Sequence, residues 1–213
     1  LFFLTVNVGI GKATTLFLSA LNGFLAENFD SNIVVVLIFY AVGLTMFLNP
    51  AIPGVPVYLA GGVILVNTLA PAPEREGFVT ACIITTGICS LLKFNAIAMQ
   101  QKCFGEGMSG SLTVKCLVGV NTITIKAIER ILKQPGLNLA KVMILCGGPD
   151  WPTSVLTGIL RLRLSSMLFG SLPIVVFIFP CVCAGAFLLR TNEGPTWEAL
   201  SAMTLALAAL TQT

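Results

Sequence analysis

Two side chains carry the chemistry this 213-residue sequence could perform in an apolar setting: Asp150, between Pro149 and Pro152, and Lys93, late in the apolar run Phe78 to Met99. Ionisable groups in such runs are costly and are functional candidates by default. Asp150 can face a wet cavity, pair with a basic residue or meet a cationic headgroup. Equally, an acid just ahead of Trp151-Pro152-Thr153 can cap the free amides of a helix start. Lys93 can contact a lipid phosphate or pair with Asp150, or it can snorkel to the interface. Much other chemistry is ruled out. The chain has no histidine, which removes imidazole bases, His-ligated haem and His-bearing zinc sites. Its seven cysteines form no C-x-x-C pair and read as small buried hydrophobes rather than a disulfide framework. Gly105-Glu106-Gly107 and Gly147-Gly148 are too short to be phosphate loops. The expectation is a protein that is not an enzyme, with no metal and no cofactor. A net charge of +3 is too small to argue for nucleic acid.

The elements that must position Asp150 and Lys93 are two broken hydrophobic stretches. Asn49-Pro50-Ala51-Ile52-Pro53-Gly54-Val55-Pro56 runs on into Val57 to Leu69, and Cys146-Gly147-Gly148-Pro149-Asp150-Trp151-Pro152 runs on into Thr153 to Leu164. Laying Pro53-x-x-Pro56 over Pro149-x-x-Pro152 brings Gly62 into register with Gly158. Matched breaks in two halves of a membrane protein point to a repeat-built transport site. Tyr58 and Trp151 are either pocket walls or packing residues and interfacial anchors.

With 56% hydrophobic and 10% charged residues and a mean hydropathy of +0.94, the composition predicts an all-α, polytopic membrane protein. Expected apolar windows are Leu1 to Leu25, read as a spanning helix rather than a secretory signal, then Ile33 to Leu48, Phe78 to Met99, Leu168 to Leu189 and the shorter Trp197 to Leu210. Lys and Arg in short loops mark the cytoplasmic side. Glu27 with Asp30, and Glu74-Arg75-Glu76, make two acidic loops, whereas Gln101 to Lys141 holds six cations against Glu106 and Glu129. Ile33 to Leu69 then leaves and regains one side, and Val142 to Leu164 the other. The result is two facing, inverted re-entrant hairpins, each followed by a spanning helix; simple proline kinks are the alternative. The expected division is 1–32, a first helix and loop; 33–100, the first repeat; 101–141, a basic segment; 142–190, the second repeat; and 191–213, a last helix. Within the basic segment, Asn121 to Gln134 gathers Ile125, Ile128 and Leu132 on one face and Lys126, Glu129, Arg130 and Lys133 on the other. That is an interfacial amphipathic helix, with Lys126, Arg130 and Lys133 toward anionic lipid headgroups or, failing lipid, a partner subunit.

The run Pro50 to Gly62 resembles the first re-entrant signature of the DedA/VTT (SNARE-associated Golgi protein) superfamily. Leu92-Lys93-Phe94 through Gln101-Lys102-Cys103-Phe104-Gly105 is similar to the helix that follows it there. Pro149-Asp150-Trp151-Pro152 sits where the family places its second re-entrant element. The resemblance covers Met46 to Leu188. It implies lipid scrambling or transport along Pro53, Gly54, Pro56, Lys93, Pro149, Asp150, Trp151 and Pro152, in an endomembrane or organelle membrane rather than the plasma membrane. Bacterial members carry an acid in the first re-entrant loop and this chain has none, so the resemblance favours scrambling over proton coupling. A second function class stands beside it: an accessory structural subunit of a large respiratory or photosynthetic membrane complex, without transport.

Overall fold

The computed structural model describes residues 2–29, 31–71, 77–147 and 150–210, without the side chains of residues 2–11, 26, 150 and 208–210. In chain order the helices are α1 (Phe2–Asn28), α2 (Asn32–Leu48), α3 (Gly54–Leu69), α4 (Phe78–Met99), α5 (Leu112–Val118), α6 (Ile123–Leu132), α7 (Leu139–Gly147), α8 (Asp150–Ile159), α9 (Leu164–Ser171), α10 (Val175–Leu188) and α11 (Pro195–Leu210). No strand occurs among the described residues. A π-helical segment, Gln100–Gly107, prolongs α4, and a 3₁₀ turn, Leu172–Ile174, joins α9 to α10. The sequence predicts that the apolar run from Phe78 ends near Met99; the helix instead continues to Gly107. Phe78–Gly107 and Leu164–Leu188 are the two helices long and apolar enough to cross a membrane among the described residues.

The chain divides into two compact units, Leu1–Leu92 with Val175–Thr213, and Lys93–Ile174. Each long helix therefore contributes one portion to each unit. In the first unit α3 packs against α1, α2 and α10, and α10 packs against α11. Helices α2 and α3 run antiparallel, because Phe39 lies beside Gly61, Gly43 beside Val57, and Phe47 beside Gly54 and Tyr58. The segment from Asn32 to Leu69 thus folds back on itself as a helical hairpin. At the far end of the unit, buried Arg190 lies 4.2 Å from the Phe78 ring centroid and 5.4 Å from that of Trp197, with Glu193 at 3.8 Å. This cation–π stack ties the start of α4 to α11.

The second unit is built on an apolar cluster of Val114, Val118, Ile125, Ile128, Leu132, Trp151, Val155 and Leu156. Thr122 starts α6 by accepting a hydrogen bond from the Ile125 amide. The turn at Gly136 is held by Lys141, whose buried Nζ donates to the Gln134 and Gly136 carbonyls. One of the six cations of the basic segment is thus a structural cap rather than a surface charge. The apolar face of α6 is covered by the protein's own α7 and α8, so that face is not the one that meets lipid. Lys126, Arg130, Lys133 and the 88% exposed Ile123 face outward, and Lys133 pairs with Glu129 at 2.6 Å, as their spacing predicts.

Candidate functional site

Each unit contains a break that seats the start of a helix. In the first, the Asn49 side chain accepts from the Ala51 amide and its carbonyl accepts from Ile52, at 3.0 and 3.2 Å, closing a tight turn. Pro53, extended at φ −71° and ψ 147°, is the N-cap of α3. Pro56 falls in the first helical turn, where a missing N–H costs nothing. A Cβ on Gly54 would stand 3.0 Å from the Phe47 ring and 3.3 Å from that of Tyr58. Glycine here lets the returning arm start hard against α2. Pro56 also borders a groove of about 190 Å³, where Thr15, Ser19 and Asn22 of α1 face Leu59, Ala60 and Val63 of α3.

The second break lies between α7 and α8. Pro149 lies outside the described residues, as does the side chain of Asp150, so nothing structural attaches to that carboxylate. Helix α8 nevertheless begins at Asp150, at the position matching Gly54, and Pro152 takes the third helical place as Pro56 does in α3. Trp151 is buried among the cluster residues, with its ring 5.8 Å from that of Phe104. Of the two readings of Trp151, packing is the one the fold adopts.

The register extends to the glycines. A Cβ on Gly62 would strike the Val182 carbonyl and come within 3.0 Å of the Gly185 Cα, while one on Gly158 would strike the Gln101 carbonyl and come within 2.6 Å of the Gly105 Cα. In both units the helix after the break therefore crosses a long helix glycine to glycine, at a separation only residues without side chains permit. The α3 crossing uses the end of the second long helix and the α8 crossing the end of the first. The pairing of Gly62 with Gly158 is legible in the sequence; their partners Gly185 and Gly105 are not.

Lys93 is 1% exposed. That burial weighs against the snorkelling alternative, which needs the ammonium to reach a surface. Below it on the same helix Gln100 and Gln101 are also buried, a polar face the sequence analysis missed; the signal was their spacing of seven and eight residues from Lys93. Farther up, Thr86 and Ser90 are buried and donate to the Cys82 and Thr86 carbonyls at 2.8 and 2.7 Å, satisfying themselves within their own helix. The outer face of α4 carries Val79, Ile83 and Leu91, each more than half exposed. Helix α4 thus buries Thr85, Thr86 and Ser90 together with Ala81, Cys89 and Leu92, and leaves a mostly apolar face exposed.

Of the cysteines, Cys82, Cys89, Cys181 and Cys183 are buried as expected, Cys146 is half-buried, and Cys103 and Cys116 are exposed; all are free thiols. No group of potential metal ligands occurs among the described residues. Comparison with family models, curated proteins and solved structures returned no match to this chain.

Proposed function

We propose that this chain is a multi-pass membrane protein that moves lipid, or a small amphiphile, past two proline-broken hairpins, in the manner implied by its resemblance to DedA/VTT proteins. The carrying observation is the repeated construction. Two breaks with prolines in matching places seat helices α3 and α8, and both helices cross a long apolar helix at a matched glycine. Irregular backbone at membrane depth is tolerated where it is packed in protein or lines a wet cavity, because an unpaired amide in lipid costs several kcal/mol. The buried polar groups of Phe78–Gly107 and its mostly apolar exposed face favour placement in a bilayer. Buried Lys93, Gln100 and Gln101 supply polar groups for a headgroup. Pro53, Gly54, Pro56, Pro149, Asp150 and Pro152 shape the two breaks, with Trp151 holding the second from inside its core. An endomembrane or organelle setting, and anionic headgroups on Lys126, Arg130 and Lys133, belong to the same proposal.

The test is reconstitution into vesicles containing fluorescent phospholipids, with dithionite added outside. Transport predicts that the inner-leaflet label becomes reducible with wild type and stays protected with Gly54→Leu, whose side chain would wedge against Phe47 and Tyr58. Protection with the wild-type protein removes this reading. Constant-ratio co-purification with a larger assembly would then favour the accessory-subunit alternative.

A further inference from the structure

In the second unit a cleft of about 690 Å³ lies at the turn after α8, walled by Lys102, Glu106, Arg161, Leu162, Arg163 and Leu164. We infer that this cleft binds a phosphoryl oxyanion between the guanidinium groups of Arg161 and Arg163. Neither arginine was among the sequence-derived candidates, and the site stands whether or not the chain moves lipid.

The first support is charge. Lys102 Nζ bonds both Glu106 carboxylate oxygens, at 2.8 and 3.0 Å, so the one acid of the cleft is neutralised by the lysine. Arg161 and Arg163 are exposed and form no ion pair among the described residues. Two guanidinium groups therefore line the cleft with no anionic partner among the described residues.

The second support is backbone. Arg161 has φ 52°, the one non-glycine positive φ among the described residues. Its amide donates to the Gly158 carbonyl and the Leu162 amide to the Thr157 carbonyl, both at 2.9 Å. That is the double hydrogen bond of a helix end whose left-handed position is ordinarily glycine. An L-residue there is strained, and the Arg161 side chain makes no hydrogen bond or ion pair among the described residues. A strained residue with an idle functional group is where inference from outlier to function is warranted.

The third support is rigidity. The buried Gln101 side-chain amide donates to the Leu162 carbonyl at 2.6 Å, and Gly158 rests on Gly105 just upstream. The turn carrying both arginines is thus pinned to the Gln100–Gly107 segment, a π-helical geometry that frequently marks functional sites. Planar guanidinium groups carried on a backbone held in this way match the oxygens of a phosphate and can bind it bidentately. A phosphorylated lipid headgroup and free phosphate present the same chemistry to it.

The experiment uses the full chain in neutral detergent, titrated calorimetrically with inorganic phosphate and, separately, with dihexanoyl phosphatidic acid. Binding of either is expected with wild type, weakened about tenfold or more by Arg163→Gln and by Arg161→Gly. Arg161→Gly should at the same time raise the melting temperature, because glycine relieves the left-handed conformation; lost binding then does not reflect lost folding. Binding of the lipid alone identifies a headgroup site, and binding of phosphate with equal affinity identifies a free-anion site. No binding of either, or equal binding by wild type and both variants, overturns the inference.

Discussion

Glycines act in opposite ways at different places in this chain. Gly62 and Gly158 sit where a methyl group would enter the backbone of a neighbouring helix. A backbone yields only by moving the whole helix, so Gly62→Ala and Gly158→Ala should each destabilise by about 1–3 kcal/mol. Gly87, inside α4, has nothing within 4 Å of its missing Cβ. There alanine gains helix propensity without a clash, and Gly87→Ala should stabilise by roughly 1 kcal/mol. Thermal denaturation of the three variants in detergent checks the contrast, and equal effects would remove the glycine-crossing interpretation. The sequence makes Gly62 and Gly158 visible because both lie six residues past a proline. It does not distinguish Gly87 from them, since openness depends on which helix lies opposite.

Among the elements, α6 departs most from its sequence reading. The spacing of Ile125, Ile128 and Leu132 fixes the helix and its apolar face, and the helix forms as expected. Periodicity does not say what covers that face, and lipid and protein satisfy it equally. Here α7 and α8 do so, burying Leu132 to 1% exposure. Leu132→Ala should cost about 2–5 kcal/mol by opening the cluster. Ile123 is 88% exposed, and a fluorophore on Ile123→Cys should be quenched by brominated lipid if the cationic side of α6 lies on a bilayer. No quenching would detach the helix from the membrane surface. The hairpins differ in a related way. The α2 and α3 arms have 17 and 16 residues, about 24–26 Å at 1.5 Å per residue, while α7 and α8 have 9 and 10, about 14–15 Å. The second pair falls well short of a hydrocarbon core of about 30 Å. Neither of these arms would cross such a core by itself.

For the whole molecule, the loop charges and the exposed thiols make one joint prediction. Cys103 and Cys116 both lie in the basic segment and are exposed, whereas Cys82, Cys89, Cys181 and Cys183 are buried. In sealed vesicles of uniform orientation, an impermeant maleimide should reach both exposed thiols from the same side, and the buried four only after denaturation. Labelling of Cys103 and Cys116 from opposite sides would contradict the charge-based topology. Taken alone, the amino-acid order determined the helical class, the two breaks, their matched prolines and the faces of α6, because each of these is set by neighbours within a few residues. Only the tertiary structure decided that each long helix divides between two units, that Lys93 is enclosed, that Gly185 and Gly105 receive the returning arms, and that Arg161 stands in a glycine's conformation beside Arg163. Those facts depend on which distant segments meet, and packing, unlike helix periodicity, leaves no local trace in the sequence.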